Sequence, residues 1–499
     1  MTSSPEATIS THIPDPRRWR ILSVLLVAMF MSLVGVSIVN VVLPSIQIGL
    51  DASASDLQWV LSGYALTFGV VLVAAGRAGD IFGRAPLFIA GVALFTLSSV
   101  AAGLAPDPLS LNIARFIQGL GSGLLNPQGI GLIQQYFRGA ERGRAYGLLG
   151  SVVGVSVAIG PLLGGFIIEL LGVANGWRWT FLVNVPFGIL TIVLALMWFP
   201  RPLLTRNKTA NNSADPATGS ADGPRKSADL DIVGSVLLGA AVLALLLPFV
   251  ERSLGAGGWG LGALGLVLIA AWVRWEAHYK AKGRSPMVDL DLFATASFSA
   301  GTTIGGMYFL GVTAVWALVA LYVQNGLGQS ALFAGMVGLP AALMSAVTSN
   351  WAGKRVMTKG RKIIIWGILS ALGGVLASIG LIPLISGGTV SFWWLVPTLT
   401  FIGVAQGLVI TPNQTLTLAE VPLEYSGSAG GILQTSQRIG GAMGLAVVTG
   451  AVFAVLETSN WATAMMAGLA IIAAIVLATL GVALLEMRGR TKLSRQTPR

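Results

Sequence analysis

The stretch Gly76-Arg77-Ala78-Gly79-Asp80-Ile81-Phe82-Gly83-Arg84 separates two apolar runs. Each run has about the ~20 residues needed to cross a bilayer. Such runs fold as helices, because lipid offers a bare backbone no hydrogen bonds. The polar stretch between them is therefore a tight turn at a membrane face. Gly76, Gly79 and Gly83 permit sharp bends and close helix approach. Asp80 and Arg84 are a candidate charge pair, and Asp80 is able to accept from backbone N–H groups or a helix N-terminus. The same frame returns at Gly353-Lys-Arg-Val-Met-Thr-Lys-Gly360-Arg361. In both copies an Arg follows the second outer glycine, and Met357 stands where the first copy has Asp80. Both copies follow the second helix of a six-helix half, so the chain reads as an internal repeat.

Composition agrees. The 499 residues are 54% hydrophobic and only 10% charged, where a soluble domain carries ~25% charged residues. Mean hydropathy is +0.78. No cysteine is present, which excludes disulfides and thiolate metal sites, and two histidines leave little for a metal. A net charge of +11 would suggest nucleic acid in a soluble protein. Here the positive-inside rule accounts for it, and no nucleic-acid partner is expected. Residues 1–20 lack the basic start of a signal peptide, so the first span is expected to be retained.

Fourteen spans are expected, near 21–43, 57–77, 86–105, 110–133, 145–171, 179–199, 231–250, 259–279, 297–321, 331–353, 363–386, 392–416, 427–455 and 463–486. Cations gather before the first span, in the 138–144, 280–284 and 354–362 loops, and in the tail. The alternate loops hold little but Arg178 and Arg252. Both termini are thus expected in the cytoplasm, with the chain in the plasma membrane. The divisions are a tail (1–20), a six-helix bundle (21–200), a polar linker (201–229), an inserted hairpin (230–280), a loop (281–296), a second bundle (297–487) and a basic tail (488–499).

Gly-x-x-x-Asp-x-x-Gly-Arg resembles the loop 2–3 signature of the major facilitator superfamily. Gly76, Asp80, Gly83 and Arg84 carry it, and Gly353, Gly360 and Arg361 carry the degenerate copy. The fourth span has Arg115-x-x-Gln118-Gly119 and the fifth Gly160-Pro161-x-x-Gly164-Gly165, both similar to motifs of that family. Trp177-Arg-Trp-Thr-Phe-Leu-Val-Asn-Val-Pro186 and Pro286-Met-Val-Asp-Leu-Asp-Leu-Phe293 add to the likeness. Six plus two plus six spans resembles its fourteen-spanner drug:proton antiporters. The resemblance implies an all-α membrane fold of two six-helix bundles plus a hairpin, multidrug efflux by alternating access, no cofactor, and a monomer. It also implies a proton-coupling role for Arg115.

Residue spacing adds its own expectations. Arg115, Gln118, Ser122 and Asn126 form one helical stripe, which faces a cavity or another helix rather than lipid. The alternative is that Arg115 snorkels to water. Gly150 with Gly154, and Gly160 with Gly164, are small-x-x-x-small pairs that let backbones approach, and Pro161 permits a bend. Arg438 lies about 18 Å into its span, with Gln434 on the same face. Tyr308, Phe309 and Trp316 are candidates for an apolar cavity wall, against ordinary packing.

One departure matters. The resembling antiporters carry an Asp before an Asn-Val-x-Leu-Pro end of the first span. Here Asn40-Val41-Val42-Leu43-Pro44 is present but the matching position is Gly35, and no span has a carboxylate at its middle. The expected substrate is therefore apolar, neutral or anionic, with Arg438 or Arg115 as anion partner. Any proton coupling would fall to Asp80 or to Glu169. A lipid or lipid-like metabolite carrier without conventional coupling is the competing reading. An enzyme is not expected: there is no Ser/His/Asp set, His cluster or Walker A loop.

Overall fold

The computed structural model describes residues 15–201, 229–250 and 255–496. The first tail up to residue 14 and most of the 201–229 linker lie outside the described residues. Among those described, the structure is helical throughout, without a strand. The first half comprises α1 Arg18–Ser37, α2 Val39–Leu50, α3 Ala54–Phe82, α4 Arg84–Gly103, α5 Pro108–Tyr136, α6 Gly139–Leu171, α7 Val173–Leu182 and α8 Asn184–Trp198. The hairpin is α9 Ile232–Val250 and α10 Gly255–Ala281. The second half comprises α11 Ala296–Leu321, α12 Ala331–Lys359, α13 Lys362–Ser386, α14 Leu395–Thr417, α15 Ser426–Leu456 and α16 Trp461–Gln496.

Among the described residues, thirteen helical segments are long and apolar enough to cross a membrane. The expected fourth span, α5, is 29 residues long but carries the polar stripe, which lowers its hydropathy below theirs. The first span runs further than expected: α1 breaks at Ile38 and α2 continues to Leu50. In the basic tail α16 stays helical to Gln496.

The second half buries an apolar core of its own, and the first half's core runs on into second-half residues such as Phe298, Leu418 and Leu433. Leu25, Phe88, Phe95 and Leu125 lie in the first, and Val315, Ile368, Leu399 and Leu469 in the second. The hairpin rests on α3, with Leu238, Val242 and Leu246 against Leu66 and Val73.

Both repeat turns break their helices at a glycine with positive φ, Gly83 at 102° and Gly360 at 53°, a conformation costly for a residue with a Cβ. They lie at one face of the bundle. Arg84 donates to Gly131 O at 3.0 Å, near the end of α5. The next helix, α6, begins a few residues on, and its Gly143 meets Gly353 of the second copy backbone to backbone. This face also holds the cationic loops and is called the basic face below.

Candidate functional site

Asp80 and Arg84 form the expected ion pair, at 2.9 Å, with side chains only 1% and 6% exposed. The Asp80 carboxylate also crosses to the other half. It accepts from the backbone N–H of Gly427 at 3.0 Å and of Ser428 at 3.1 Å. These are the first-turn amides of α15, which have no partner within their own helix and sit at the positive end of its dipole. Arg84 crosses too, donating to Leu423 O at 2.6 Å. Close backbone approach makes this possible. A Cβ on Gly76 would stand 2.3 Å from Gly427 O, and one on Gly427 2.4 Å from Gly76 O.

A second seam mirrors the first. A Cβ on Gly143 would lie 2.4 Å from Gly353 O, and one on Gly353 2.3 Å from Gly143 O. Gly150 faces Thr411 and Ser349, and Gly154 faces Ala342 and Ala346. Ser151 donates to Ala346 O across the joint at 2.6 Å. Further along α6 the contacts change sides. Gly160 and Gly164 meet Ser37 and Ile38 of their own half, and nothing stands within 4 Å of a Cβ on Gly165. Gly143, Gly150 and Gly154 therefore join the halves from the basic face to mid-helix, whereas the expected pair Gly160 and Gly164 packs within the first half. Pro161 lies inside the unbroken helix α6, beyond that seam.

Arg361 does not repeat the role of Arg84. Met357, in place of Asp80, is exposed. Arg361 turns into its own half, where it pairs with Glu486 at 2.9 Å, both side chains buried. It also donates to Asn413 at 3.0 Å and to Ser297 O at 3.2 Å. The degenerate copy thus braces α11, α13, α14 and α16 instead of sealing the halves.

The α5 stripe is buried against neighbouring helices. Arg115 is 1% exposed, which rules out snorkelling. It donates from Nε to Val60 O at 2.9 Å, bonds Gln118, and lies 4.4 Å from the centre of the Tyr64 ring. Gln118 donates to Ser99 at 2.7 Å. Ser122 shares hydrogen bonds of 2.6 Å with both Ser32 and Tyr64. Asn126, half-buried, donates to Ser122 O at 2.9 Å.

Arg438 is different. Its side chain is exposed to solvent, where Arg115 is not. Its guanidinium carbon lies 4.4 Å from the ring centre of Phe68, on α3 of the other half. Tyr64 stands within electrostatic reach of both Arg438 and Arg115. Gln434, one turn earlier, is half-buried. Tyr308 is not the expected cavity wall: it is 2% exposed in the core of the second half, and Phe309 and Trp316 pack against that core. Glu169 is exposed at the far end of α6, away from the other candidates. The Asn40 side chain lies outside the described residues.

The position where the resembling antiporters carry an Asp, Gly35 here, is tightly packed. A Cβ there would lie 3.1 Å from Phe95 and 3.3 Å from Asn184, in the packing between α1, α4 and α8. Gly35→Asp is expected to destabilise the fold by about 1–3 kcal/mol through overpacking and burial of an unpaired charge. A lowered thermal unfolding midpoint of the purified variant would show it.

Residues 25–445 match the family profile described as Major Facilitator Superfamily. The chain belongs to that family. It is 32% identical to the probable actinorhodin transporter of Streptomyces coelicolor, covering 92% of this chain and 76% of that protein. It is 30% identical to the puromycin resistance protein of Streptomyces alboniger, covering 90% and 84%. It is also 30% identical to the multidrug resistance protein Stp of Mycobacterium tuberculosis, covering 84% and 73%. Among solved structures, the human organic anion transporter MFSD10 superposes with a TM-score of 0.67 at 14% identity, over 94% of this chain and 100% of that one. The proton:xylose symporter XylE superposes at 0.64, also at 14% identity, over 94% and 95%. At such identity these two show the fold alone.

Sequence reading missed three acidic positions. Glu486 was hidden by its place at the end of the last span. Asp231 and Glu276 sit at the two ends of the hairpin, both buried. A carboxylate within a long apolar helix, as at Glu276, was the available signal.

Proposed function

We propose that this chain is a secondary active exporter of lipophilic small molecules, working as a monomer by alternating access in the plasma membrane. The seal of Asp80 on the first turn of α15 carries the reading. It closes one face with contacts between the halves that water can replace, as a reversible gate requires. Cation bias makes the sealed face cytoplasmic, with both termini on that side. The names of the relatives, which speak of antibiotic transport and drug resistance, support a small-molecule cargo. Arg438 beside Phe68 and Tyr64 favours planar, apolar or anionic substrates, which a guanidinium and aromatic faces bind together.

Two measurements test this. Cells expressing the chain should extrude a lipophilic dye, and a protonophore should abolish the efflux. Efflux that survives the protonophore would favour the second reading, a lipid or lipid-like metabolite carrier without conventional coupling, for which the packed Gly35 position speaks. Arg438→Ala is expected to weaken anionic dyes by about 1–3 kcal/mol, or roughly 5- to 150-fold in Kd, and neutral ones much less. Equal binding of both dye classes by the variant and the parent would remove Arg438 from the site.

A further inference from the structure

The inserted hairpin holds two carboxylates that the gate does not use. Asp231 is 2% exposed and Glu276 1% exposed. Asp231 precedes α9 with φ +42°. Its Oδ1 accepts from the Gly234 N–H and from the Trp275 indole, each at 2.9 Å. That is a complete helix cap, and it leaves Oδ2 without a hydrogen-bond partner. Oδ2 points at Glu276: a Cβ on Gly234 would stand 2.4 Å from Asp231 Oδ2 and 2.9 Å from Glu276 Oε1. Neither Glu276 oxygen completes a hydrogen bond of good geometry. The Val288 amide, the Trp272 indole and the Asp231 carboxyl face it. The Trp272 N–H is itself buried, 6% exposed, and has no completed bond.

Neighbouring charges make their contacts elsewhere, Arg77 only in part, since its Nε has no hydrogen-bond partner. From α3, Arg77 donates to Asp229 O at 3.4 Å. On α10, Tyr279 bonds Asp229, and Lys280 pairs with Asp289 at 2.6 Å and Asp291 at 2.5 Å. Arg284 lies against the Tyr279 ring, and His278 is exposed. The α15 residues against the hairpin, Ile432, Ile439 and Ala442, are apolar. Glu424 and Tyr425 occupy the turn before α15. Among the described residues, no cation forms an ion pair with Asp231 or Glu276. Asp229, outside the spans, is held below the usual carboxylate range, chiefly by the Tyr279 hydroxyl, and stays charged.

We propose that Asp231 and Glu276 form a proton-binding site in which the two carboxyls share one proton. Two carboxylates buried side by side without a cation cannot both ionise cheaply. Loss of the shared proton makes them repel, and the repulsion acts where the hairpin rests on α3, the helix that carries Asp80. The hairpin is thereby a proton-responsive brace for the gate. The proton site stands on its own geometry; its link to transport rests on the exporter reading above.

The test uses the full-length protein in lipid nanodiscs. A hydrophobic carbodiimide, which reacts with buried protonated carboxyls, should modify Glu276 in the parent protein, as mapped by mass spectrometry. Labelling should fall about tenfold for each pH unit above the apparent pKa of the pair. Glu276→Gln should remove the infrared band of a protonated carboxyl seen in the parent at neutral pH, and Asp231→Asn should shift it. Failure to label Glu276, or labelling indifferent to pH, overturns the proposal without needing any variant to fold. A band unchanged in Glu276→Gln overturns it too. In the same variant, dye efflux should lose its pH dependence. Parent protein that labels at Glu276 but moves no dye would keep the proton site and reject the exporter.

Discussion

Asp80→Asn is expected to unseal the basic face. The native carboxylate is buried and accepts amides from Gly427 and Ser428 while paired with Arg84. Asn keeps one acceptor and loses the charge that the helix end and Arg84 both favour. Hydrogen bonds to a charged group are worth about 1.5–3 kcal/mol each. Losing that advantage across the halves costs the sealed state about 3 kcal/mol, a shift of roughly a hundredfold in the sealed-to-open ratio. The cysteine-free chain makes the readout clean. Ala346, 8% exposed within the second seam, can be replaced by Cys and challenged with a water-soluble maleimide. Labelling should be slow in the parent and rise about a hundredfold with Asp80→Asn. An unchanged rate would remove Asp80 from the gate.

Gly353→Leu should have the larger effect. Here the obstacle is backbone: a Cβ would press to 2.3 Å of Gly143 O, and Gly147 Cα lies 2.7 Å away. Neither can rotate aside as a side chain would. Overpacking of this kind costs about 3 kcal/mol or more, and all of it falls on the state in which the halves meet. The variant should remain folded, because the second half keeps its own core and most of the first half's core lies within it, but it should stay open at the basic face. Full maleimide labelling at position 346, with dye efflux abolished and dye binding retained, is the expected pattern. Slow labelling would mean that the seam has room the geometry denies.

Much of this was legible in the residues. The spacing Gly76–Arg84 announced a turn, a charge pair and an acceptor suited to a helix end, and all three are present. The repeat put a second such turn at Gly353–Arg361, and a turn with a positive-φ glycine is present there. What sequence spacing could not give was the identity of partners far along the chain. The amides on Asp80 lie some 347 positions away. Arg361 looked equivalent to Arg84, yet without an acid at position 357 its charge found Glu486 inside its own half. Tyr308 failed for a simpler reason: an aromatic on a span is apolar on every side, and periodicity does not distinguish core from chamber wall. The hairpin carboxylates escaped notice because each stands near a helix end, where a charge ordinarily reaches water.

At the basic face both seams mate main chain to main chain, glycine against carbonyl. Parting these particular contacts requires no rotamer to unlock. The movement resembles two smooth rails sliding apart more than a zipper opening tooth by tooth. Its activation barrier is then set by the few polar latches at the rim, so the speed of the cycle can be tuned there without disturbing the surfaces that select the cargo.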